Sequence, residues 1–367
     1  MKPRVAAVVA GCAILLAGTG ALSAAVYSHG DPTDSEQLLL ELVNRARANP
    51  HAEADRLGIG LNDGITAGSI EPTPKQPLAL DAQLITAARA HSDWMLAADV
   101  FSHTGENGSD PEARMKAAGY KFTGNWTWGE NVSWGGSTGI PDLIEYTRLA
   151  HDGLFKSPGH RVNLMNDDFD DVGLGVREGK FFAQGRDWNA VMTTEVFARS
   201  GNTPGPVFLG VVYRDANGDG LYDPGEGVGD VTVQVAGGTD SALTSGSGGY
   251  RLPYSGSGSV TLTFQHSSTG SKSVSTVRDG RNVKVDWIVP DGVEPGTLVL
   301  AANPPSAAGL VQLQIGGTYQ GNVRIERSTD FQGWEFAGII PKNSTTALFT
   351  DSTGSRRHGF YRASAVP

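Results

Sequence analysis

Disulfide chemistry is the first thing this sequence lacks. Its one cysteine is Cys12, inside an apolar N-terminal stretch. Everything after it is free of thiols, so no intrachain disulfide can brace it. Charge is sparse as well. Asp, Glu, Lys and Arg make up 19% of the chain, and the formal net charge is −10. That acidic balance argues against a nucleic-acid partner and leaves acid-rich loops open to cations. Long apolar runs are missing, with one exception. MKPRVAAVVAGCAILLAGTGALSAAVYSHG opens on Lys2 and Arg4, stays apolar from Val5 to about Val26, and carries Ser23, Ala24 and Ala25 near its end. This is the layout of a signal peptide over residues 1–25, cleaved near 24–25. The alternative is an uncleaved membrane anchor, since a span takes about 20 apolar residues. VAGC has the letters of a lipoprotein box, but the apolar run before it is short and continues past it. The expectation is a bacterial protein that is secreted or displayed at the cell surface, held by its core and by metal.

What is present falls into three segments. TPGP (203–206) and PDGVEPG (290–296) read as linkers. They separate residues 31–202, 205–290 and 296–367. The first segment holds the helical periodicity and five of the seven tryptophans. DSEQLLLELVNRARANP reads as a helix capped by Asp34 or Ser35 and stopped by Pro50. Further helices fit 81–98 with Asp81 as cap, 110–118, and 141–156 with Pro141 in its first turn. DVGLGVRE (171–178) and NAVMTTEVFA (189–198) read as strands. Helices around a small sheet give an α+β domain, arranged as an α-β-α sandwich.

Three polar fragments carry candidate chemistry: FSHTG with His103, GENVSWG with Glu130, and SPGHRVNLM with His160. Each lies beside small residues and reads as a turn, with Trp126, Trp128 and Trp134 as packing around the GEN turn. Two imidazoles and a carboxylate suit a zinc site with one open position. They equally suit general acid–base work. Most histidines near turns are structural hydrogen-bonders. His91, on the apolar face of the second helix, reads as one. Glu195 either faces the same region or pairs with Arg199 or Arg161, and His151 lies on the fourth helix nearby.

LVNRARANP, LDAQLITAARAHSDWM, FSHTG, AAGY, GENVSWG and SPGHRVNLMNDDFDDVGLGV occur in this order. Together they resemble the bacterial branch of the CAP superfamily (the SCP domain of cysteine-rich secretory, antigen 5 and pathogenesis-related 1 proteins), over roughly residues 35–200. The resemblance implies an α-β-α sandwich with a central cleft. In eukaryotic members two His and two Glu line that cleft and can bind a divalent metal. His103, Glu130 and His160 match three of those four. The fourth lies in W-x-x-E, and here the run is LFKS, so Ser157 replaces the carboxylate and Leu154 the tryptophan. The family has no single accepted activity. A lost carboxylate weakens a metal site and removes a candidate base. A Ser157–His160 hydrolase has no evident orienting acid. Binding is therefore preferred to hydrolysis.

DANGDGLYDPGE (215–226) is the fullest single motif. Asp215, Asn217, Asp219, the Leu221 carbonyl, Asp223 and Glu226 fill calcium-loop positions 1, 3, 5, 7, 9 and 12, with Gly220 at the sharp turn. VFLGVVYR and DVTVQVAGG flank it as strands, which excludes an ordinary helix–loop–helix pair. Residues 207–289 resemble the B domains of serine–aspartate repeat adhesins and carboxypeptidase regulatory-like modules. That resemblance implies an all-β immunoglobulin-like sandwich with structural calcium. Residues 296–367 read as six short strands of a small all-β domain, like a module that ends many secreted bacterial proteins, with Arg356, Arg357 and Arg362 as a basic tip. The expected function is an extracellular binding or adhesion module for a lipid, peptide or glycan. A metal-dependent hydrolase or peptidase and a structural surface protein stand as alternatives.

Overall fold

Thr33 caps the first helix. Its hydroxyl accepts the Glu36 N–H at 3.2 Å, and the Glu36 carboxylate accepts the Thr33 N–H at 2.9 Å. This reciprocal cap starts helix α1, Asp34–Ala48. The cap thus falls one residue before Asp34, because Glu36 is placed to answer Thr33. Pro50 does not simply stop the chain. It sits in the first turn of a second helix, α2 (Pro50–Leu57), whose cap is Asn49. Asp81, Asp110 and Asp142 cap α3 (Ala82–Ala98), α4 (Pro111–Ala117) and α5 (Leu143–Lys156). A short helix, α6 (Pro158–Leu164), follows directly and carries His160, so that histidine stands on a helix rather than a turn. The computed structural model describes residues 27–201, 205–290, 299–302, 311–316, 322–328, 335–340, 346–351 and 360–366.

Four strands form the first sheet: β1 (Ala79–Leu80), β2 (Trp126–Ser137), β3 (Asp171–Ala183) and β4 (Arg186–Ser200), in the order β1-β3-β4-β2. The expected GEN turn is corrected here. Glu130 lies mid-strand, and β2 pairs with β4 along its whole length. Its glycines are there for close packing. A Cβ at Gly129 would meet the Phe169 ring at 2.9 Å, one at Gly135 the Tyr146 ring at 2.7 Å, and one at Gly136 the Trp188 side chain at 2.9 Å.

Period-two alternation divides the sheet's faces. Val172, Leu174, Val176, Val191 and Phe197 pack with Leu39, Val43, Leu154 and Phe155 of α1 and α5. Met192, Ala190 and Val132 pack with Met95 and Leu96, and Val196 and Ala198 with Leu84 and Ala88, all on α3. Helices therefore cover both faces, and the outer side of β2 is left as a sheet edge.

Downstream the chain is β-rich. Strands β5 (Val207–Tyr213), β6 (Thr232–Val235), β7 (Ser241–Leu243), β8 (Gly249–Pro253), β9 (Gly258–His266), β10 (Gly270–Arg278), β11 (Val283–Lys284) and β12 (Trp287–Ile288) form two sheets. One runs β10-β9-β6-β7. The other is β11-β5-β12, with β8 also on β5. Phe208, Val233, Leu252, Leu262, Phe264 and Trp287 share their core. Six more strands, β13 (Val299–Ala302), β14 (Val311–Gly316), β15 (Asn322–Ser328), β16 (Glu335–Ile340), β17 (Thr346–Asp351) and β18 (Phe360–Val366), form two three-stranded sheets. The expected signal segment with Cys12, and Arg356 and Arg357 of the expected basic tip, lie outside the described residues. Among the described residues no helix is long and apolar enough to cross a membrane.

Candidate functional site at the edge of the first sheet

The loop after α3 carries His103 to the β2 edge. Asp99 ends the helix in a left-handed conformation (φ 52°) and turns the chain. His91, buried on α3, then donates Nε2–H to the Ser102 carbonyl at 2.9 Å and pins the loop one residue before His103. Burial holds the His91 pKa below its ordinary value, which suits a neutral ring that hydrogen-bonds a carbonyl.

The Glu130 carboxylate is buried and doubly engaged. His103 Nδ1 lies 2.8 Å from Oε1, and Arg114 Nη2 lies 2.5 Å from Oε2. Arg114 also donates to the carbonyls of His103, at 3.0 Å, and Ser109, at 2.8 Å. The hydrogen bond to Glu130 raises the His103 pKa against the opposing effects of burial and Arg114. Arg114 went unnoticed in the sequence. Its signal is its place on α4 just before AAGY, which reads there as an ordinary solvated cation.

From the other side of the strand comes α6. His160 Nδ1 lies 2.8 Å from the Ser157 hydroxyl, at the position where the carboxylate is missing. Partial burial lowers the His160 pKa, and the charge of nearby His103 lowers it further. Asn163 and Asn131 bind α6 to the strand. Asn163 Nδ2 donates to the Glu130 carbonyl at 3.2 Å and to Asn131 Oδ1 at 2.9 Å, while Asn131 Nδ2 donates to the His160 carbonyl at 3.3 Å. The fold thus brings His103, Glu130, Ser157 and His160 to one edge, but their donor atoms do not converge. Among the described residues, the trio of His and acidic groups whose ligand atoms all lie within 4.8 Å is Glu53, His151 and Asp152. That trio is already neutralised. Arg56 reaches Glu53 at 2.6 Å and Asp152 at 2.5 Å, Arg45 reaches Glu53 at 3.1 Å, and His151 is spent on Glu53 at 2.9 Å.

Glu195 pairs with neither arginine considered from the sequence. Arg199 goes to Asp168 at 3.2 Å, and Arg161 to the Phe155 carbonyl at 2.9 Å. Glu195 is fully buried on the α5–α6 face. Asn131 Nδ2 donates to Oε2 at 3.0 Å, and Oε1 has no partner among the described residues. Burial pushes its pKa up to about 7, with the Asn131 hydrogen bond opposing.

In the loop between β5 and β6, Asp215 accepts the N–H groups of Gly218, Asp219 and Gly220. Glu226 Oε1 accepts the Ala216 N–H at 2.8 Å, and Oε2 the Asp223 N–H at 2.9 Å. Gly218 and Gly220 have φ of 76° and 75°, the left-handed turns that such a loop needs. Arg148 of α5 pairs with Asp223, so a helix of the first unit reaches into the loop.

Residues 40–191 match the CAP family, described as the cysteine-rich secretory protein family. The uncharacterized protein YkwD of Bacillus subtilis (strain 168) is 31% identical over 110 residues, 30% of this chain and 38% of that protein. An extracellular protein containing a SCP domain from Bacillus anthracis str. Ames shares 21% identity, with 45% of this chain and 40% of that chain covered and a TM-score of 0.29. A cohesin–X–dockerin complex from Acetivibrio cellulolyticus shares 19% identity over 23% of this chain and 53% of that chain, with a TM-score of 0.19. The chain spans about two-fifths of the length of the first two relatives. The segment with His103, Glu130 and His160 at its sheet edge, residues 40–191, is a CAP domain.

Proposed function

We propose that this chain is an extracellular binding protein, with the binding site at the β2 edge of its CAP domain and a calcium-stiffened β-rich region behind it. One observation carries the preference for binding over hydrolysis: both oxygens of Glu130 are committed, one to His103 and one to Arg114. Two imidazoles whose Nδ1 atoms are tied to Glu130 and Ser157 keep their Nε2 atoms for a ligand or a cation. A zinc ion held by His103 and His160 would supply Lewis acidity there, but Glu130 could join only by loosening its contact with His103 or with Arg114. The signal-peptide layout of residues 1–25 supports the location.

The test uses the full chain equilibrated with zinc and dialysed. It should retain well under one equivalent and cleave no peptide substrate. One stoichiometric zinc ion, lost together with peptidase activity in the His103→Ala/His160→Ala double variant, would overturn the reading in favour of a metallohydrolase.

Calcium in the β5–β6 loop is the second part of the proposal. Six oxygen-bearing positions at the required spacing, closed by Glu226, support it, as does the resemblance to adhesin B domains. Calcium should raise the melting temperature of the full chain, and Glu226→Gln should abolish the increment. Equal melting with calcium and with chelator would sink this part alone.

A further inference from the structure

The outer edge of β2 carries outward-turned backbone groups in the middle of the site, beside a Val132 side chain that is itself buried against α3. We propose that it binds an extended peptide by strand addition, with the peptide backbone pairing to Val132 and Trp134 between His103 and His160. This rests on the reading of the edge as the binding site and names the class of ligand.

The direction of the backbone groups follows from the register. On β3, the Val176 N–H turns to Glu36 and the Val172 carbonyl accepts the Asp81 N–H, so the even-numbered residues there face away from β4. The odd-numbered Gly173, Gly175 and Arg177 therefore bond to Val196, Thr194 and Met192. The odd residues of β4 must then face β2, opposite Asn131, Ser133 and Gly135. That leaves Glu130, Val132, Trp134 and Gly136 turned outward. Two independent contacts agree with this phase. Asn163 donates to the Glu130 carbonyl at 3.2 Å, and the Tyr146 hydroxyl donates to the Gly136 carbonyl at 3.1 Å. Between these caps, the outward N–H and C=O groups of Val132 and Trp134 have no partner among the described residues.

Proteins usually blunt such an edge with lysine, proline or a bulge. This one has none of these. Residues 126–137 contain no Pro, Lys or Arg, and the pairing with β4 runs over 12 residues without a register shift. An alternating donor–acceptor ladder is matched by another extended backbone, and peptide-binding domains use such ladders for affinity. A lipid tail offers it nothing, and a glycan does not repeat at strand spacing. The caps at Glu130 and Gly136 limit the pairing to a short segment, about three to five peptide residues. His103 bonds Glu130, and the His160 carbonyl is bonded by Asn131, so the imidazole-bearing elements flank the first rung. Trp134, half-buried against Phe181 at a ring distance of 4.9 Å, offers apolar surface at the second.

The test exposes the full chain to a synthetic random octapeptide library and identifies retained peptides by mass spectrometry. Each is remade with N-methyl groups on one or the other alternate set of amides. One set should weaken binding at least about tenfold while the other does not, because only alternate amides face the ladder. Bound peptide should also protect the Val132 and Trp134 amides from hydrogen exchange. No retained peptide, or equal binding by both methylated sets, overturns strand addition. Vesicles of phosphatidylcholine and a soluble glucan serve as the comparison. A shift of the His103 and His160 resonances with either, without protection of Val132 and Trp134, overturns strand addition but leaves the binding reading standing. No shift with any probe overturns both.

Discussion

Glu195 shows what one buried carboxyl does to the whole stability curve. Its pKa in the fold, about 7, lies above the ordinary 4.5. The folded state therefore holds a proton that the unfolded state releases as pH rises. Its contribution is undiminished below about pH 4.5, falls as pH rises through 7, and stays low above that; the loss is up to about 3 kcal/mol. Glu195→Gln keeps an acceptor for Asn131 and removes the ionisation. The variant should gain on the parent steadily between pH 4.5 and 7 in thermal melts. A constant difference across that range would mean that Glu195 does not titrate there. Arg114 makes the complementary case on the opposite face of the sheet, beside the buried Glu130 of β2. Its charge lowers the His103 pKa while Glu130 raises it. Arg114→Met should therefore move the His103 titration upward, read from its ring proton resonance. It should also cost about 3–5 kcal/mol, since a buried carboxylate loses its charged partner. A downward shift would contradict the arrangement.

At the scale of elements, α3 rests directly on the backbone of β3. A Cβ on Gly173 would lie 2.1 Å from the Leu84 carbonyl carbon, and one on Gly175 2.5 Å from that of Ala88. Neither neighbour is a side chain that can swing away. Gly173→Ala should cost about 3 kcal/mol or more in urea unfolding. Gly179→Ala, which meets the flexible Leu96 side chain at 3.1 Å, should cost much less. Equal costs would mean that the helix can lift off the strand. Helices α3 and α4 were legible because their punctuation is local: Asp81 and Asp110 answer N–H groups within three residues, whereas α5 is capped by Asp142, so Pro141 lies before the helix rather than in its first turn. Strand β2 was not legible. Its glycines resemble a turn until the rings of Phe169, Tyr146 and Trp188 are seen to fill their places. The candidate site divides in the same way. His103, Glu130, Ser157 and His160 stand out by motif, whereas Arg114, Asn131 and Asn163 matter only through contacts fixed by strand phase and helix placement. Glu195 was visible as a residue, but which face it takes depends on a register that no local signal sets.

At the scale of the molecule, the CAP domain and the β-rich region meet through buried charge. Arg251 of β8 bonds Asp171 at 2.8 Å and the Leu80 carbonyl at 3.0 Å, and Asp171 also accepts the Tyr120 hydroxyl at 2.8 Å. Lys284 reaches Glu41 of α1 at 2.8 Å, and Asn282 donates to the carbonyls of Pro77 and Asp170. Tyr222, in the middle of the acidic loop, packs with Leu38 and Leu42 of α1. Buried ion pairs add little net stability when compared with apolar packing, but breaking one leaves a stranded charge. Arg251→Ala should therefore act on the junction more than on either core. The parent should unfold over residues 27–290 in one calorimetric transition, and the variant in two. The lower of the two should belong to the β-rich region, which has no helix of its own among the described residues, and should rise with calcium if Tyr222 carries loop order to α1. Arg251→Met, which fills the space but not the charge, should separate the transitions as well, because the stranded partner is Asp171 rather than a cavity. A double variant with Asp171→Asn should restore part of the coupling. If both single variants still melt in one transition, the apolar contacts of Tyr222, rather than the charges, hold the two parts together.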